Sequence, residues 1–217
     1  MRIDNNNNIS FGTNIKVVSP GCFRRITRKM EKIKGCEIIK DWDVGSNSPR
    51  GYRENVNLGG TGHIRSCSAG IITKKGKNAP LFWHIYDSPE NLDYFSILED
   101  KMEGENAILV GSKSDYFYSK ALYYKFQKAL RKKSIPTTIL KSLALEWQAF
   151  MAYTSKDDTM YLCFTNIDKP YEYVKSWKDL KNIFRKIKIS PTDNIEFIRP
   201  IDGLFIPQNI KKLFKGL

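Results

Sequence analysis

The chain has few of the side chains on which enzyme chemistry most often depends, since its 217 residues include two histidines and four cysteines. The cysteines, at positions 22, 36, 67 and 163, lack the close spacing of metal-binding motifs. Two histidines cannot complete a zinc site with them, so we expect no metal centre. Thiols without a disulfide framework indicate a reducing compartment.

Long apolar stretches are also missing. No run of about 18 apolar residues occurs, which excludes a membrane-spanning helix of ordinary length. The start of the chain is Asn-rich and has no apolar region, so we expect no secretory signal peptide there. Hydrophobic residues make up 41% of the chain and aromatic residues 12%, which is typical of a folded globular protein. The length indicates one domain, or one domain with an added module.

Acidic residues are outnumbered, because 36 Lys and Arg residues oppose 23 Asp and Glu residues and give a net charge of +13. This charge favours an acidic protein, an anionic membrane surface or nucleic acid as partner, although a basic surface is most often simply solvated. No zinc finger, RNA-recognition signature or basic heptad region occurs, so nucleic acid is the least favoured. We expect a monomer that acts on an acidic protein, and no motif supports membrane binding.

Cys67 and His84 lie at the two ends of a predicted hairpin. An apolar strand follows Cys67, a polar turn covers residues 74–78, and a second apolar run ends at His84. A hairpin of this length brings its ends side by side, so the imidazole can activate the thiol as a nucleophile. Thr61 lies six residues before Cys67 and offers a hydroxyl that can orient the imidazole.

The residues just before Cys67 are rich in glycine and predict a polar loop whose backbone N–H groups can bind an anion. The simpler interpretation is that both side chains only fill the core, as cysteine often does. His63 is the other histidine and competes for the role of base. We favour His84, because His63 lies four residues from the thiol on the same loop and rarely could reach it in good geometry.

The remaining elements follow from periodicity and from turn and capping residues. Ser19-Pro20 and Ser176 are typical helix starts. Residues 41–54 predict a loop that lines the site, and Phe117 is expected to pack inward. Strands are predicted at 15–18, 36–39, 107–110, 137–140, 147–153, 160–164 and 195–198, and helices at 20–34, 89–102, 114–133 and 176–188.

The segment around Cys67 resembles the catalytic motif of the chemoreceptor glutamine deamidase family CheD, which reads Thr-x-Gly-Leu-Gly-Ser-Cys-Val-Ala. Thr61, Ser66, Cys67 and Ala69 match it, and His84 follows Cys67 by seventeen residues, as the family's histidine follows its cysteine. The same Cys–His hairpin recurs in the deamidase domain of cytotoxic necrotizing factor and in related bacterial lethal factors. The resemblance covers residues 55–142 and includes the order of the elements.

The resemblance implies an α/β fold, a layered β-sheet sandwich flanked by helices, with Cys67, His84 and Thr61 as catalytic triad. It implies deamidation of a protein glutamine through a thioester, without cofactor or metal. Arg65, Ser66 and Ser68 flank the nucleophile and are expected to contact substrate. Residues 1–13 then form a flexible tail, 14–142 the catalytic core, and 143–217 an α/β extension that packs on the core and helps to select substrate.

Three other activities remain open on the same residues. An amine in place of water gives transglutamination, attack on a peptide bond gives proteolysis, and an unreactive thiol leaves a basic binding module without catalysis. We expect a bacterial effector or toxin that is secreted and acts in the host cytosol, with an enzyme of the bacterial cytoplasm as the alternative.

Overall fold

The computed structural model describes residues 12–40, 51–111 and 117–198, apart from the side chains of residues 90, 93 and 94. These residues form twelve strands and four helices. The strands are β1 (Asn14–Val17), β2 (Cys36–Ile39), β3 (Tyr52–Val56), β4 (Leu58–Ile64), β5 (Ser68–Thr73), β6 (Ala79–Ile85), β7 (Asn106–Gly111), β8 (Thr137–Leu143), β9 (Trp147–Thr154), β10 (Thr159–Asn166), β11 (Phe184–Lys188) and β12 (Asn194–Phe197). The helices are α1 (Pro20–Met30), α2 (Pro89–Lys101), α3 (Phe117–Lys132) and α4 (Trp177–Ile183).

The strands pair into two mixed sheets of six strands each. Sheet A has the order β12-β1-β10-β9-β4-β2, and sheet B has the order β11-β8-β7-β5-β6-β3. Parallel pairs such as β7 and β8 are connected through a helix, here α3, whereas β5–β6 and β9–β10 are antiparallel hairpins. The hairpin predicted between Cys67 and His84 is therefore confirmed, and the strands predicted at 147–153 and 160–164 pair as a second hairpin.

The two sheets pack face to face around one apolar interior. Met151 and Leu162 of sheet A share this interior with Ile71 and Phe82 of sheet B. α1 covers the outer face of sheet A, while α2 and α3 cover the outer face of sheet B. The predicted α/β class, with layered sheets and flanking helices, is confirmed.

The start of α1 forms as the sequence predicts. Ser19 has extended backbone angles, and its side chain accepts a hydrogen bond from the backbone N–H of Cys22 at 3.3 Å, which satisfies one of the free donors of the first turn. Pro20 occupies the first helical position, where its missing N–H costs nothing. The apolar face of the helix, with Phe23, Ile26 and Met30, is buried against sheet A.

Two segments predicted as loops are strands. The glycine-rich segment before Cys67 is β4, and residues 52–54 of the loop predicted at 41–54 belong to β3. The glycines of β4 do not signal a loop; they make room for neighbouring side chains. A Cβ at Gly62, for example, would stand 2.7 Å from a ring carbon of Phe150.

Two further predictions are wrong near the surface. The helix predicted over 176–188 ends at Ile183, and Phe184–Lys188 form β11, which pairs antiparallel with β8. The strand forms because its backbone completes the edge of sheet B and Phe184 is buried there. Phe117 does not pack inward: it is 74% exposed at the start of α3.

Strands from both sides of the predicted boundary at residue 142 pair with each other in each sheet: β4 lies beside β9, and β8 beside β11. None of the helices in the described residues is long and apolar enough to cross a membrane. The predicted tail up to residue 11, the loop residues 41–50 and the first residues of the helix predicted from 114 lie outside the described residues.

Candidate active site

Thr61 and His84 meet inside the sandwich, one from each sheet. The hydroxyl oxygen of Thr61 lies 2.8 Å from Nδ1 of His84 and 3.0 Å from the carbonyl oxygen of Ile39. A hydroxyl has one proton to donate, and the carbonyl of Ile39 can only accept it. Thr61 therefore accepts a hydrogen bond from Nδ1–H, and the neutral imidazole carries its free lone pair on Nε2.

The Nε2 atom of His84 is buried and has no hydrogen-bond partner among the described residues. The side chain is 2% exposed. Burial, together with a smaller effect of the nearby charge of His63, lowers the pKa of His84 to about 3. The imidazole is therefore neutral at physiological pH and can accept a proton. A buried nitrogen without a hydrogen-bond partner is unusual in a protein core, and it leaves an acceptor available for a proton donor.

Cys67 lies on the same face of sheet B as His84. Ala69 is directly opposite His84 in the β5–β6 pair, and Cys67 lies two residues before Ala69, in the bend that leads into β5. Residues at diagonal positions of a regular strand pair are about 7–8 Å apart through space, a distance that two side chains can bridge. Cys67 is 6% exposed and contributes to the interior cluster between the sheets. The structure thus brings the three predicted triad residues into one region.

Hydrogen bonds on both sides hold the residue before the thiol. The hydroxyl of Ser119, in the first turn of α3, donates to the backbone carbonyl of Ser66. The hydroxyl of Ser66 donates to the carboxylate of Asp87 at 2.9 Å, just after β6. These contacts tie the turn that carries Cys67 to α3 and to the end of the strand that carries His84.

Gly111, at the end of β7, packs closely against the backbone of Cys67. Its φ of 123° is a left-handed conformation that glycine adopts readily. A Cβ at this position would overlap the carbonyl oxygen of Cys67. Position 111 therefore needs glycine for two reasons, its backbone angle and the close approach of the segment that carries the nucleophile.

The three residues expected to contact substrate occupy different environments. Arg65 is exposed, with a guanidinium nitrogen 3.5 Å from the side-chain oxygen of Gln148. Ser66 is half-buried and bonded to Asp87. Ser68 is 1% exposed and lies on the opposite face of β5 from Cys67, toward the helices. Arg65 is thus the one of the three that faces solvent beside the thiol.

His63 stands outside the sandwich. It is exposed, its Nδ1 lies 3.3 Å from the side-chain oxygen of Gln148, and its ring packs edge-on to Phe150. Its φ of 54° is left-handed, and the register of β4 shifts between Thr61 and Ile64. Of the two histidines, His84 is the one in contact with Thr61 and on the face of Cys67.

The other cysteines have the environments of structural thiols. No disulfide joins Cys22, Cys36, Cys67 and Cys163. Burial raises the pKa of Cys36 to about 11, with Glu31 and Glu37 adding to the effect, and burial raises that of Cys163 to about 12. Across the part of the chain that the structure describes, no three His, Cys, Asp or Glu side chains cluster in a way that could hold a metal ion.

Sequence reasoning did not identify Gly111, Ser119 or Asp87 as parts of the site. The small-residue end of a strand at Gly111 was a visible signal, and so was the acidic residue in the turn after His84. Neither signal shows a contact with Ser66 or Cys67, because those contacts join segments distant in the chain.

No protein-family model matches the chain, and no curated protein matches it.

Proposed function

We propose that this protein is a cysteine-dependent protein glutamine deamidase in which Cys67 is the nucleophile and His84 the general base and acid. The observation that carries the proposal is the 2.8 Å contact between Thr61 and Nδ1 of His84. It leaves the opposite ring nitrogen unprotonated, buried and without a partner among the described residues, on the face that also carries Cys67. A thiol beside an oriented imidazole is the arrangement that activates a cysteine.

In the first half of the reaction, Sγ of Cys67 attacks the carboxamide carbon of a glutamine side chain while its proton moves to Nε2 of His84. Backbone N–H groups near Cys67 stabilise the oxyanion that forms. The C–N bond then breaks, His84 returns the proton to the departing ammonia, and a thioester remains on Cys67.

In the second half, water attacks the thioester carbon and gives a proton to Nε2 of His84. The C–S bond breaks, the proton returns to the sulfur, and a glutamate side chain leaves. During each half the imidazolium is stabilised by its Nδ1–H bond to Thr61 and by the negative charge that forms next to it. No redox partner and no metal is needed for these steps.

Burial of the site favours a side-chain amide over a peptide bond. Cys67 and His84 are 6% and 2% exposed, so a reacting group must pass between other side chains to reach them. A glutamine side chain has the length and slenderness to do so while the substrate backbone stays outside. Cleavage would require the backbone itself to enter.

The backbone of His63 gives further support for a CheD-like and necrotizing-factor-like fold. The family motif has glycine at the position that His63 occupies. His63 has a φ of 54°, in the left-handed region that glycine adopts without strain. The Cys–His hairpin and the following order of α2, β7, α3 and β8 agree with the same fold.

The expected setting of this activity is a bacterial effector that is secreted and acts on an acidic protein in the host cytosol. The net charge of +13 supports an acidic substrate. An enzyme of the bacterial cytoplasm is the alternative, and detection of modified proteins in each compartment distinguishes the two.

Incubation with casein, a disordered acidic protein that contains glutamine, tests the proposal. We expect ammonia release together with the mass gain of amide-to-acid conversion, lost in Cys67→Ser and retained in Cys36→Ser, which removes a half-buried thiol outside the site. Incorporation of an added amine would indicate transglutamination, and backbone fragments would indicate proteolysis. Equal loss in the two variants would contradict the assignment of Cys67.

A further inference from the structure

Three exposed aromatic side chains lie on the two segments that are bonded to the turn that carries the thiol. Tyr86 is 46% exposed, Phe117 is 74% exposed and Tyr118 is 41% exposed. Phe117 and Tyr118 contact each other edge-to-face, with ring centroids 5.4 Å apart. We call these three residues the aromatic rim.

Hydrogen bonds place the aromatic rim beside the nucleophile. Tyr118 immediately precedes Ser119, whose hydroxyl donates to the carbonyl of Ser66. Tyr86 immediately precedes Asp87, whose carboxylate accepts from the hydroxyl of Ser66. Tyr118 and Tyr86 are therefore each adjacent in the chain to a residue that is hydrogen-bonded to Ser66, the residue before Cys67.

These three aromatic side chains do not belong to the hydrophobic core clusters of the described residues. On the same helix as Phe117 and Tyr118, the side chains of Tyr123 and Phe126 are fully buried and form the core under sheet B. Exposed aromatic groups that cluster near a site are typical of surfaces that bind other proteins, because aromatic rings contribute large contact areas.

In the part of the chain that the structure describes, two exposed basic residues lie near the rim. Arg65 lies two residues before Cys67 and is exposed. Lys120 lies two residues after Tyr118 on α3 and is also exposed. The carboxylate of Asp87 is buried and already accepts the bond from Ser66. The surface next to the aromatic groups is therefore complementary to acidic side chains.

We propose that the aromatic rim is the docking surface for an acidic, extended segment of the substrate protein that carries an apolar side chain next to the target glutamine. The apolar side chain packs on Phe117 and Tyr118 while acidic neighbours face Arg65 and Lys120, and the glutamine enters toward Cys67. This inference rests on the proposed deamidase function and adds the class of sequence that the site selects.

Matched synthetic peptides test the inference. One peptide has glutamine flanked by phenylalanine and aspartate, the second replaces phenylalanine by alanine, and the third replaces aspartate by lysine. We expect wild type to deamidate the first with at least tenfold higher kcat/KM than either of the others. The double variant Phe117→Ser/Tyr118→Ser should lose that preference.

Ile97→Ser is the matched control, because Ile97 is also helical and is 41% exposed, the same as Tyr118. It should retain the wild-type preference. Alkylation of Cys67 by iodoacetamide should be the same in wild type and all rim variants, which shows that the site is intact. Equal kcat/KM values for the three peptides, or equal losses in Ile97→Ser and the double variant, would overturn the inference.

Binding measured without catalysis separates this inference from the proposed function. Fluorescence anisotropy of the labelled first peptide on Cys67→Ala should show binding that the double rim substitution removes. Binding at the rim without deamidation by wild type would support the docking surface and contradict the enzyme. Deamidation that does not depend on the rim would support the enzyme and contradict the docking surface. A rim substitution that instead abolishes self-association or binding to anionic vesicles would overturn a peptide-docking role.

Discussion

The hydroxyl of Thr61 determines which nitrogen of the His84 ring carries the proton. Because this hydroxyl donates to Ile39 and accepts from Nδ1, it keeps Nε2 available as the base. Such a dependence makes Thr61 a positioning residue, since it acts through the imidazole and not on the substrate.

Thr61→Val should therefore slow deamidation while keeping the shape of the side chain. It leaves Nδ1–H buried without an acceptor, which costs about 1–3 kcal/mol and corresponds to roughly a fivefold to 150-fold lower rate if the cost falls on the transition state. Thr61→Ser retains the hydroxyl and should recover most of the activity. Steady-state kinetics with both variants checks this, and equal rates for Val and Ser would show that the hydroxyl has no role.

The lowered pKa of His84 predicts how stability depends on pH. The folded pKa is about 3 and the unfolded value is about 6.5, so the unfolded state binds the extra proton between them. The stabilising contribution of neutral His84 is complete above about pH 6.5 and is lost as the pH falls toward 3, by about 1.4 kcal/mol for each pH unit.

Urea unfolding at several pH values measures this effect. Between pH 6 and pH 4, wild type should lose more stability than His84→Gln, which has no titrating ring. Parallel curves for the two proteins would show that His84 is not buried in its neutral form.

At the scale of secondary structure elements, the hairpin was predictable and the strand beside it was not. The apolar runs on either side of a polar turn predict β5 and β6 directly, and with them the approach of Cys67 to His84. The strand β4 was not predictable, because glycine normally weakens a strand and this segment contains Gly59, Gly60 and Gly62. Glycine is required in this strand because neighbours that are distant in the chain, such as Phe150, leave no room for a Cβ atom.

The boundary between α4 and β11 was missed for a different reason. Leu180, Ile183, Phe184 and Ile187 recur at helical spacing, so periodicity alone predicts one long helix. Pairing with the edge of sheet B outweighs that local preference from Phe184 onward. A single sequence does not show where an edge is available.

Gly111→Ala should disturb the nucleophile more than it disturbs the rest of the fold. The substitution imposes a left-handed strain of about 1–2 kcal/mol and also pushes on the backbone of Cys67. Gly76→Ala is the matched control, because Gly76 also has a positive φ, 68°, but nothing lies within 4 Å of the added methyl group.

Both substitutions should lower the free energy of unfolding, but only Gly111→Ala should also slow the alkylation of Cys67. The two quantities can be measured on the same samples by urea unfolding and peptide mapping. If both variants slow alkylation equally, the support that Gly111 gives to Cys67 is not specific.

Across the whole molecule, the site exists only when the two sheets pack together. Thr61 comes from sheet A, and His84 and Cys67 come from sheet B and its preceding turn. The sequence could suggest these residues through their motif, but the contact of Thr61 with Ile39 is a product of sheet pairing. The motif identifies the candidate residues, whereas their hydrogen-bond partners depend on how the strands pair in the folded protein.

The basic residues do not form one surface. The helices α1 and α3 both carry several Lys and Arg residues, but they cover opposite outer faces of the sandwich. α3 has 16 residues and is about 24 Å long, so its basic C-terminal end is more than two Debye lengths from Ser119 at physiological salt.

Charges close to Cys67 should therefore control association with an acidic substrate. Arg65→Glu should lower kcat/KM about fourfold at low salt for one substrate charge about 10 Å away, with the difference shrinking as salt rises. Arg131→Glu/Lys132→Glu at the far end of α3 should leave kcat/KM nearly unchanged. Rates measured across ionic strength check both expectations, and a larger effect from the distant pair would mean that the overall field matters more than the local one.

The most direct test of the central claim is the rate at which iodoacetamide alkylates each cysteine at neutral pH, in wild type and in His84→Gln. Wild-type Cys67 should react well ahead of Cys36, whose raised pKa leaves little thiolate. His84→Gln should remove that advantage while Cys36 reacts as before. If Cys67 reacts no faster in wild type than in His84→Gln, then His84 does not activate the thiol, and the proposed catalytic pair is contradicted.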